Sequence, residues 1–265
     1  MGRKGRVKRK NRERMHLRSP IFLIALLCLC GALIVFVGAY FWQPQPSPPA
    51  ADPSRAVLVD GIGLTKPNPD FIAGVKDVLN RSGLKLDIYK GSEVTIDLLE
   101  NLAGYGLIIL RLHSAVEEEF RLLYIFSAEP YNESEISRFG DEWGPIVRQA
   151  ITFDNESYFA LRADTLGYKN ERESLRGAVI ILMGCNGTDG ETTIRKLFVD
   201  RGVKAIIAWD GYVDLDYTDE ITLLLLKTVY EDKIEFKDAV EKLMKGRGPD
   251  PIWGSHLKYL APSNK

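Results

Sequence analysis

Two hydrophobic segments of this 265-residue chain each stop at residues with reactive side-chain chemistry. LIILRLHS ends in His113 and Ser114, and AVIILMGC ends in Cys185. A thiol becomes a strong nucleophile when a nearby base takes its proton, and histidine is the commonest side chain for that transfer. The chain has only three cysteines and three histidines, and Cys185 is the one cysteine beyond the N-terminal hydrophobic run. The pattern predicts a Cys–His nucleophile–base pair.

Both segments are predicted to be buried strands, because each is a short and nearly continuous apolar run. RAVLVDG at 55–61 and VKAIIAWD at 203–210 have the same character. Amphipathic patterns typical of helices separate these runs, for example NPDFIAGVKDVLNRSG and ETTIRKLFVDRG. Strands joined through helices form a mostly parallel sheet with helices on both faces, so the predicted fold class is α/β.

Sheets of this kind bind ligands beyond the carboxyl ends of their strands. His113, Cys185, Trp209 and Asp210 all follow or end predicted strands, so we expect them at one edge of the sheet. This placement makes that edge the predicted functional site.

Glycines flank the predicted nucleophile. Gly184 precedes Cys185 and Gly187 follows Asn186, which predicts a tight turn whose backbone N–H groups could face a developing oxyanion. The N-terminus of the helix after this turn would favour a thiolate nearby. Two simpler interpretations stay open: a buried structural cysteine, and a histidine that is hydrogen-bonded at the sheet edge.

The N-terminal region predicts a membrane anchor. Residues 21–42 carry no charge, and about 20 apolar residues are enough for a helix to cross a bilayer. Residues 1–20 hold nine Lys and Arg against one acid, and basic flanks stay on the cytoplasmic side. We therefore expect a cytoplasmic tail, a single-pass signal-anchor helix that contacts the lipid bilayer, and an extracytoplasmic C-terminal part.

A Pro-rich linker at 43–54 then leads to one domain, predicted at 55–265. Beyond residue 20 the chain holds 26 basic and 35 acidic residues, a formal charge of −9. That balance argues against nucleic acid as a partner, because such binding depends on cationic contacts to phosphates. Residues 131–170 are the ambiguous part of the domain: an insertion, a lid, part of the sheet, or a hairpin over the site.

Metal and cofactor sites are not predicted. The cysteine and two histidines beyond the hydrophobic run are too widely spaced for a zinc-ligand pattern. The acids between Asp210 and Glu220 lack the spacing and central glycine of a calcium-binding EF-hand loop. The chain contains neither a complete dinucleotide fingerprint nor a Walker motif. We therefore expect no metal and no cofactor.

The two strand ends resemble those of caspase-like cysteine peptidases, the group of caspases, separase, legumain, gingipain, clostripain and CHAT domains. Members carry a hydrophobic strand ending in His and a small residue, and a later one ending in Cys, as in LIILRLHS and AVIILMGC. GVKAIIAWDGYVDLDYTDEITLLLLKTVYE and FKDAVEKLM resemble the CHAT-type block of strand, Trp-containing loop and helices. The resemblance covers roughly residues 55–260 and implies a three-layer sandwich.

The resemblance also implies roles for individual residues. Cys185 would be the nucleophile and His113 the general base and acid. The backbone at Ser114 and Gly184 would form the oxyanion site, although Ser114 stands where the family has glycine. Trp209 and Asp210 would shape the pocket for the substrate residue before the scissile bond, and an acid there would suit a basic residue.

The expected function is that of a membrane-anchored cysteine peptidase acting on proteins or peptides. Two other classes stay open: a catalytically inactive caspase-like domain that binds or scaffolds at the membrane, and an unrelated flavodoxin-like sensor domain. In the sensor domain, His113 and Cys185 would lie on strands far apart. Their positions in the fold therefore discriminate between these hypotheses.

Overall fold

The computed structural model describes residues 50–139, 146–167 and 173–262, together with four single helical positions, Leu29, Gly31, Leu33 and Phe36. Residues 1–46 and 47–265 form two separate units. The predicted tail 1–20 and almost all of the predicted span 21–42 lie outside the described residues. Among the residues that are described, no helix is both long and apolar enough to cross a membrane.

The described part of the second unit alternates between strand and helix. Its strands are β1 (Asp52–Asp60), β2 (Lys85–Lys90), β3 (Tyr105–Arg111), β4 (Ser114–Glu117), β5 (Leu122–Pro130), β6 (Val147–Ile151), β7 (Ser157–Arg162), β8 (Val179–Leu182), β9 (Ala205–Trp209) and β10 (Leu257–Leu260). Its α-helices are α1 (Pro69–Arg81), α2 (Ile96–Glu100), α3 (Glu191–Arg201), α4 (Leu215–Tyr230) and α5 (Phe236–Arg247).

A mostly parallel sheet forms the centre of the domain. Its order is β2-β1-β3-β8-β9-β10, and only β10 runs antiparallel to its neighbour among these described strands. The predicted α/β class is therefore confirmed. The carboxyl ends of β1, β3, β8 and β9 meet at one edge, the edge where ligands bind in sheets of this kind.

Alternate residues of each central strand face opposite layers. Leu58, Ile109 and Ile181 belong to the core that packs against α1, α4 and α5. Residues such as Leu110 and Leu182 belong to the core on the other face, with α2, α3 and a second sheet. Since both faces are covered, the strands carry almost no polar side chains, which explains their continuous apolar runs.

The second sheet is inserted between β3 and β8 in the chain. It is antiparallel, with the order β4-β5-β7-β6, and its inner residues Leu123, Ile125 and Leu161 join the core of the central sheet. Strands β6 and β7 lie within 131–170, so the described part of that segment belongs to this sheet. Residues 140–145 and 168–172 lie outside the description.

The domain begins before the predicted boundary at residue 55. Strand β1 starts at Asp52, which pairs with Tyr105, so the predicted linker 43–54 overlaps the strand by three residues. Proline at the first positions of a strand is tolerated, which is why Pro53 does not end it. A Cβ on the facing Gly106 would lie 2.6 Å from both the Asp52 carbonyl oxygen and Pro53 Cα, so glycine permits this close approach.

Candidate functional site

Neighbouring strands carry the two predicted catalytic residues. Strands β3 and β8 are parallel, and Leu110 is in register with Leu182. His113 and Cys185 each follow these paired positions by three residues, so they leave the sheet at the same level. Adjacent strands are about 4.8 Å apart. Numbered in chain order within this sheet, the five described parallel strands have the order 2-1-3-4-5, which flavodoxin-like sheets share, so the adjacency does not separate the two hypotheses.

Both residues line one cavity of about 480 Å³, called the main cavity below. They also line an adjoining cavity of about 220 Å³. The walls of the main cavity come from the carboxyl edge of the sheet, the β6–β7 turn and the loops after β9 and α5. Its lining residues are Ile62, Thr65, Lys66, Leu112, His113, Thr152, Phe153, Asp154, Met183, Gly184, Cys185, Tyr212, Val213, Asp214, Leu215, Thr218 and Trp253.

The backbone around Cys185 is fixed from two sides. The Ser114 hydroxyl donates to the Cys185 carbonyl oxygen at 2.7 Å. The N–H of Asn186, which has a left-handed φ of 54°, donates to the Gly211 carbonyl at 2.8 Å. The predicted tight turn is thus present. It is tied both to the start of β4 and to the loop after β9.

Burial raises the pKa of the Cys185 thiol. A hydrogen bond from the Val213 N–H opposes this shift, and the Asp250 carboxylate adds slightly to it. Stabilisation of a thiolate by the N-terminus of the next helix stays a prediction. A Cβ at Gly190, the N-cap of α3, would lie 2.9 Å from Leu123 N, so this helix end packs against β5. The direction of the pKa shift favours a neutral thiol at neutral pH.

The imidazole of His113 is also held neutral. Burial lowers its pKa, Asp154 opposes the shift, and Arg111 and Lys66 add to it. The ring packs on Phe126 with centroids 6.0 Å apart. Within the described residues, no hydrogen bond joins this ring to the Cys185 thiol. The directions of the two pKa shifts therefore favour a neutral thiol and a neutral imidazole at this site.

The positions predicted to form the oxyanion site are in van der Waals contact. A Cβ on Gly184 would overlap Ser114 Oγ and lie 2.5 Å from the Leu112 carbonyl oxygen, so this position has space only for glycine. Because the Ser114 hydroxyl donates to the Cys185 carbonyl, its role in the structure is to hold the backbone of Cys185. Stabilisation of an oxyanion by Ser114 and Gly184 stays a prediction.

The structure does not bring the Trp209 side chain, the predicted substrate contact, into the main cavity. This side chain is fully buried on the α4 face of the sheet, where its Nε1–H donates to Thr218 Oγ1 at 2.9 Å. Side chains along a strand alternate between its two faces, and the last residue of β9 falls on the face that packs against the helices. Trp209 therefore points into the helical layer and not beyond the edge of the sheet.

Asp210 is engaged at the β9–β10 junction instead of the cavity. Its Oδ1 accepts the His256 N–H at 2.6 Å, and its Oδ2 lies 3.2 Å from Lys258 Nζ. Both partners of the carboxylate therefore lie in or directly before β10, a strand that the sequence patterns did not predict. Its predicted role in binding a basic substrate residue stays a prediction.

The β6–β7 turn contributes cavity residues that the sequence patterns did not indicate. Phe153 and Asp154 line the main cavity. The Asp154 carboxylate raises the pKa of His113 and so opposes the effect of burial. The available signal was the Asp154-Asn155 pair between two alternating segments, which is typical of a hairpin turn. Tyr212 and Trp253 were missed as well, because they lie on loops without a local pattern.

No protein-family model matches the chain, and no curated protein sequence matches it. The functional assignment therefore depends on the site itself.

Proposed function

We propose that this protein is a membrane-anchored, caspase-like cysteine peptidase that hydrolyses peptide bonds with a Cys185–His113 dyad. The observation that carries the proposal is the joint placement of both residues in one cavity at the carboxyl edge of the sheet. The three-layer arrangement and the order of the strands, His before Cys on neighbouring parallel strands, agree with the fold that the resemblance implies.

The chemistry relays two protons through His113: the thiol proton to the leaving amine, and then a proton from water to the departing sulfur. As Cys185 Sγ attacks the carbonyl carbon of the scissile bond, His113 takes the thiol proton and passes it to the leaving amine. The acyl group stays on sulfur as a thioester. Water then attacks this thioester while His113 takes the proton from the water, and the thiol is restored when the carboxylic acid leaves. The neutral resting forms of both groups are the forms that this sequence starts from.

Labelling with a peptidyl acyloxymethyl ketone tests the dyad. We expect the full-length protein to be modified at Cys185, with the adduct located by peptide mass mapping, and Cys185→Ser to prevent modification. His113→Ala should slow the reaction by about 10²-fold or more, since that is the usual contribution of a general base.

His256→Ala is the matched control for this experiment, because His256 is the other histidine of the domain and lies exposed on the surface. It should react at the wild-type rate. Equal rates for the wild type and His113→Ala would contradict the proposed role of His113.

A second candidate is a catalytically inactive domain of the same fold that binds partners at the membrane. The raised pKa of Cys185, the lowered pKa of His113 and the lack of a hydrogen bond between these two described residues favour it. An active dyad often holds its thiol as a low-pKa thiolate. The two candidates predict opposite results in the labelling experiment, because an inactive domain would not react faster with a peptidyl probe than with a simple alkylating agent.

The anchor is the other part of the proposal, with the N-terminus in the cytoplasm and the domain outside it. It is supported by the uncharged run 21–42 after nine basic residues. Introducing Leu29→Arg and Ile34→Arg together should release the full-length protein from membranes at alkaline pH, since each arginine costs about 2.5–3.5 kcal/mol at the helix centre.

Gln43→Arg and Gln45→Arg provide the same added charge just beyond the span, and this control should stay in the membrane fraction. Release of the wild-type protein by alkaline extraction would contradict the anchor.

A further inference from the structure

Three exposed aromatic side chains stand at the mouth of the main cavity. Phe153 is 79% exposed, Trp253 54% and Tyr212 44%. Their ring centroids are 5.5 Å apart between Phe153 and Tyr212, and 5.4 Å apart between Tyr212 and Trp253. They come from three separate loops, and all three line the cavity. Exposed apolar clusters of this kind commonly mark binding surfaces.

The interior of the same cavity is also apolar. Leu112, Met183, Val213 and Leu215 line it beside Cys185. The volume of about 480 Å³ lies within the range of sites that enclose small ligands or large side chains. A side chain that enters between the aromatic residues therefore contacts a lining that is mostly hydrocarbon, with threonine, histidine, lysine and aspartate residues as its polar part.

The charges around the cavity do not favour a charged side chain. Asp214 accepts the Tyr217 N–H at 3.1 Å as the N-cap of α4. The remaining charged lining residues, Lys66 and Asp154, have opposite signs. Asp210, the acid expected to hold a basic substrate residue, is paired with Lys258 outside the cavity lining.

We infer that the main cavity takes a large apolar or aromatic side chain of a peptide substrate, on the residue whose carbonyl Cys185 attacks. The inference rests on the proposed function, because Cys185 has to be the nucleophile. Phe153, Tyr212 and Trp253 hold this side chain, and its burial places the scissile carbonyl next to the thiol. The substrate class is thus apolar, in contrast to the basic class that the sequence pattern implied.

Matched peptidyl acyloxymethyl ketones test this specificity on the full-length protein. The probes share one peptide and differ only in the side chain next to the reactive carbonyl: Phe, Leu, Gly, Arg or Asp. We expect the Phe and Leu probes to modify Cys185 at second-order rates at least tenfold above the other three, since burial of such a side chain corresponds to that factor or more. Fastest modification by the Arg or Asp probe would overturn the inference while keeping the proposed function.

The substitution Trp253→Ala tests whether the aromatic residues at the cavity mouth bind the substrate side chain. It should lower the rate of the Phe probe about tenfold and leave the rates of the Gly probe and of iodoacetamide unchanged. Ile252→Ala is the matched control, because Ile252 is 65% exposed beside Trp253 and is not among the residues that line the cavity. This control should change none of the rates.

Two results distinguish a failure of this inference from a failure of the proposed peptidase function. An equal loss with all probes in Trp253→Ala would overturn the assignment of the aromatic residues to substrate binding. If no peptidyl probe modifies Cys185 faster than iodoacetamide does, the proposed peptidase function fails, and this inference fails with it.

Discussion

Replacing Arg111 by methionine is expected to lower the free energy of unfolding by about 3–5 kcal/mol, because it removes the only cation from a buried group of charges in the described structure. Arg111 is 1% exposed and ends strand β3, two residues before His113. Its guanidinium makes a bidentate pair with Asp219, at 2.8 and 2.9 Å, and a further bond to Asp60 Oδ1 at 2.7 Å.

The loss is large because two carboxylates stay behind. Asp60 and Asp219 are both buried, and Asp60 Oδ2 has no hydrogen-bond partner among the described residues. Without the guanidinium they repel each other in a medium that solvates them poorly. Because Asp60 ends β1 and Asp219 lies on α4, the same change loosens the strand end that carries His113.

Urea unfolding of the full-length protein in detergent measures the effect. Arg138→Met is the matched control, because Arg138 is 45% exposed and its pairs with Glu129 and Glu135 lie at the surface. It should cost less than about 1 kcal/mol. Adding Asp60→Asn and Asp219→Asn to Arg111→Met should restore most of the stability. A loss below about 1 kcal/mol for Arg111→Met alone would contradict the buried network.

Changing Gly184 to alanine is expected to cost about 2–4 kcal/mol and to stop modification of Cys185 by peptidyl probes. The added Cβ would overlap Ser114 Oγ and approach the Leu112 carbonyl oxygen to 2.5 Å and Ser114 N to 2.9 Å. Two of these contacts are backbone atoms that cannot move without separating β3 from β8. Overpacking typically costs 1–3 kcal/mol, and the lost hydrogen bond from Ser114 to Cys185 adds about 1 kcal/mol.

Gly246→Ala is the control for this substitution. Gly246 lies in helix α5, and nothing lies within 4 Å of the position that its Cβ would take. Alanine there should stabilise the protein by about 0.5–1 kcal/mol, because it lowers the entropy cost of the helix. Wild-type stability and labelling for Gly184→Ala would show that the turn can shift, contrary to the packing described.

Some elements were predictable because their signal is local. The central strands could be found since burial on both faces demands continuous apolar runs, and the ends of β3 and β8 follow directly from them. Helix α1 has Asn68 as its N-cap, whose side chain accepts the Phe71 N–H at 3.0 Å, and such caps are read from neighbouring residues.

Other elements lacked such a signal. Strands β4 and β10 have four residues each, too few to show a period, and most of β6 falls within the polar sequence 131–150, which has no clear apolar alternation. The start of β1 was assigned to the linker because its proline masked a strand that is fixed only by its pairing with Tyr105. These strands exist because their neighbours supply hydrogen-bond partners, which the local sequence does not reveal.

The sequence by itself determined the α/β class and the edge of the sheet at which His113 and Cys185 lie. Apolar runs mark buried strands, and a parallel sheet brings their carboxyl ends to one edge, so His113 and Cys185 had to lie at that edge. Tertiary structure alone decided what surrounds them. The alternation of side chains along β9 decides which face of the sheet Trp209 occupies. The pairing of β10 with β9 decides what Asp210 binds. The fold of a hairpin of the second sheet over the edge places Asp154 beside His113. Contacts between distant segments set these features, because side-chain burial and charge pairing arise only when those segments pack together.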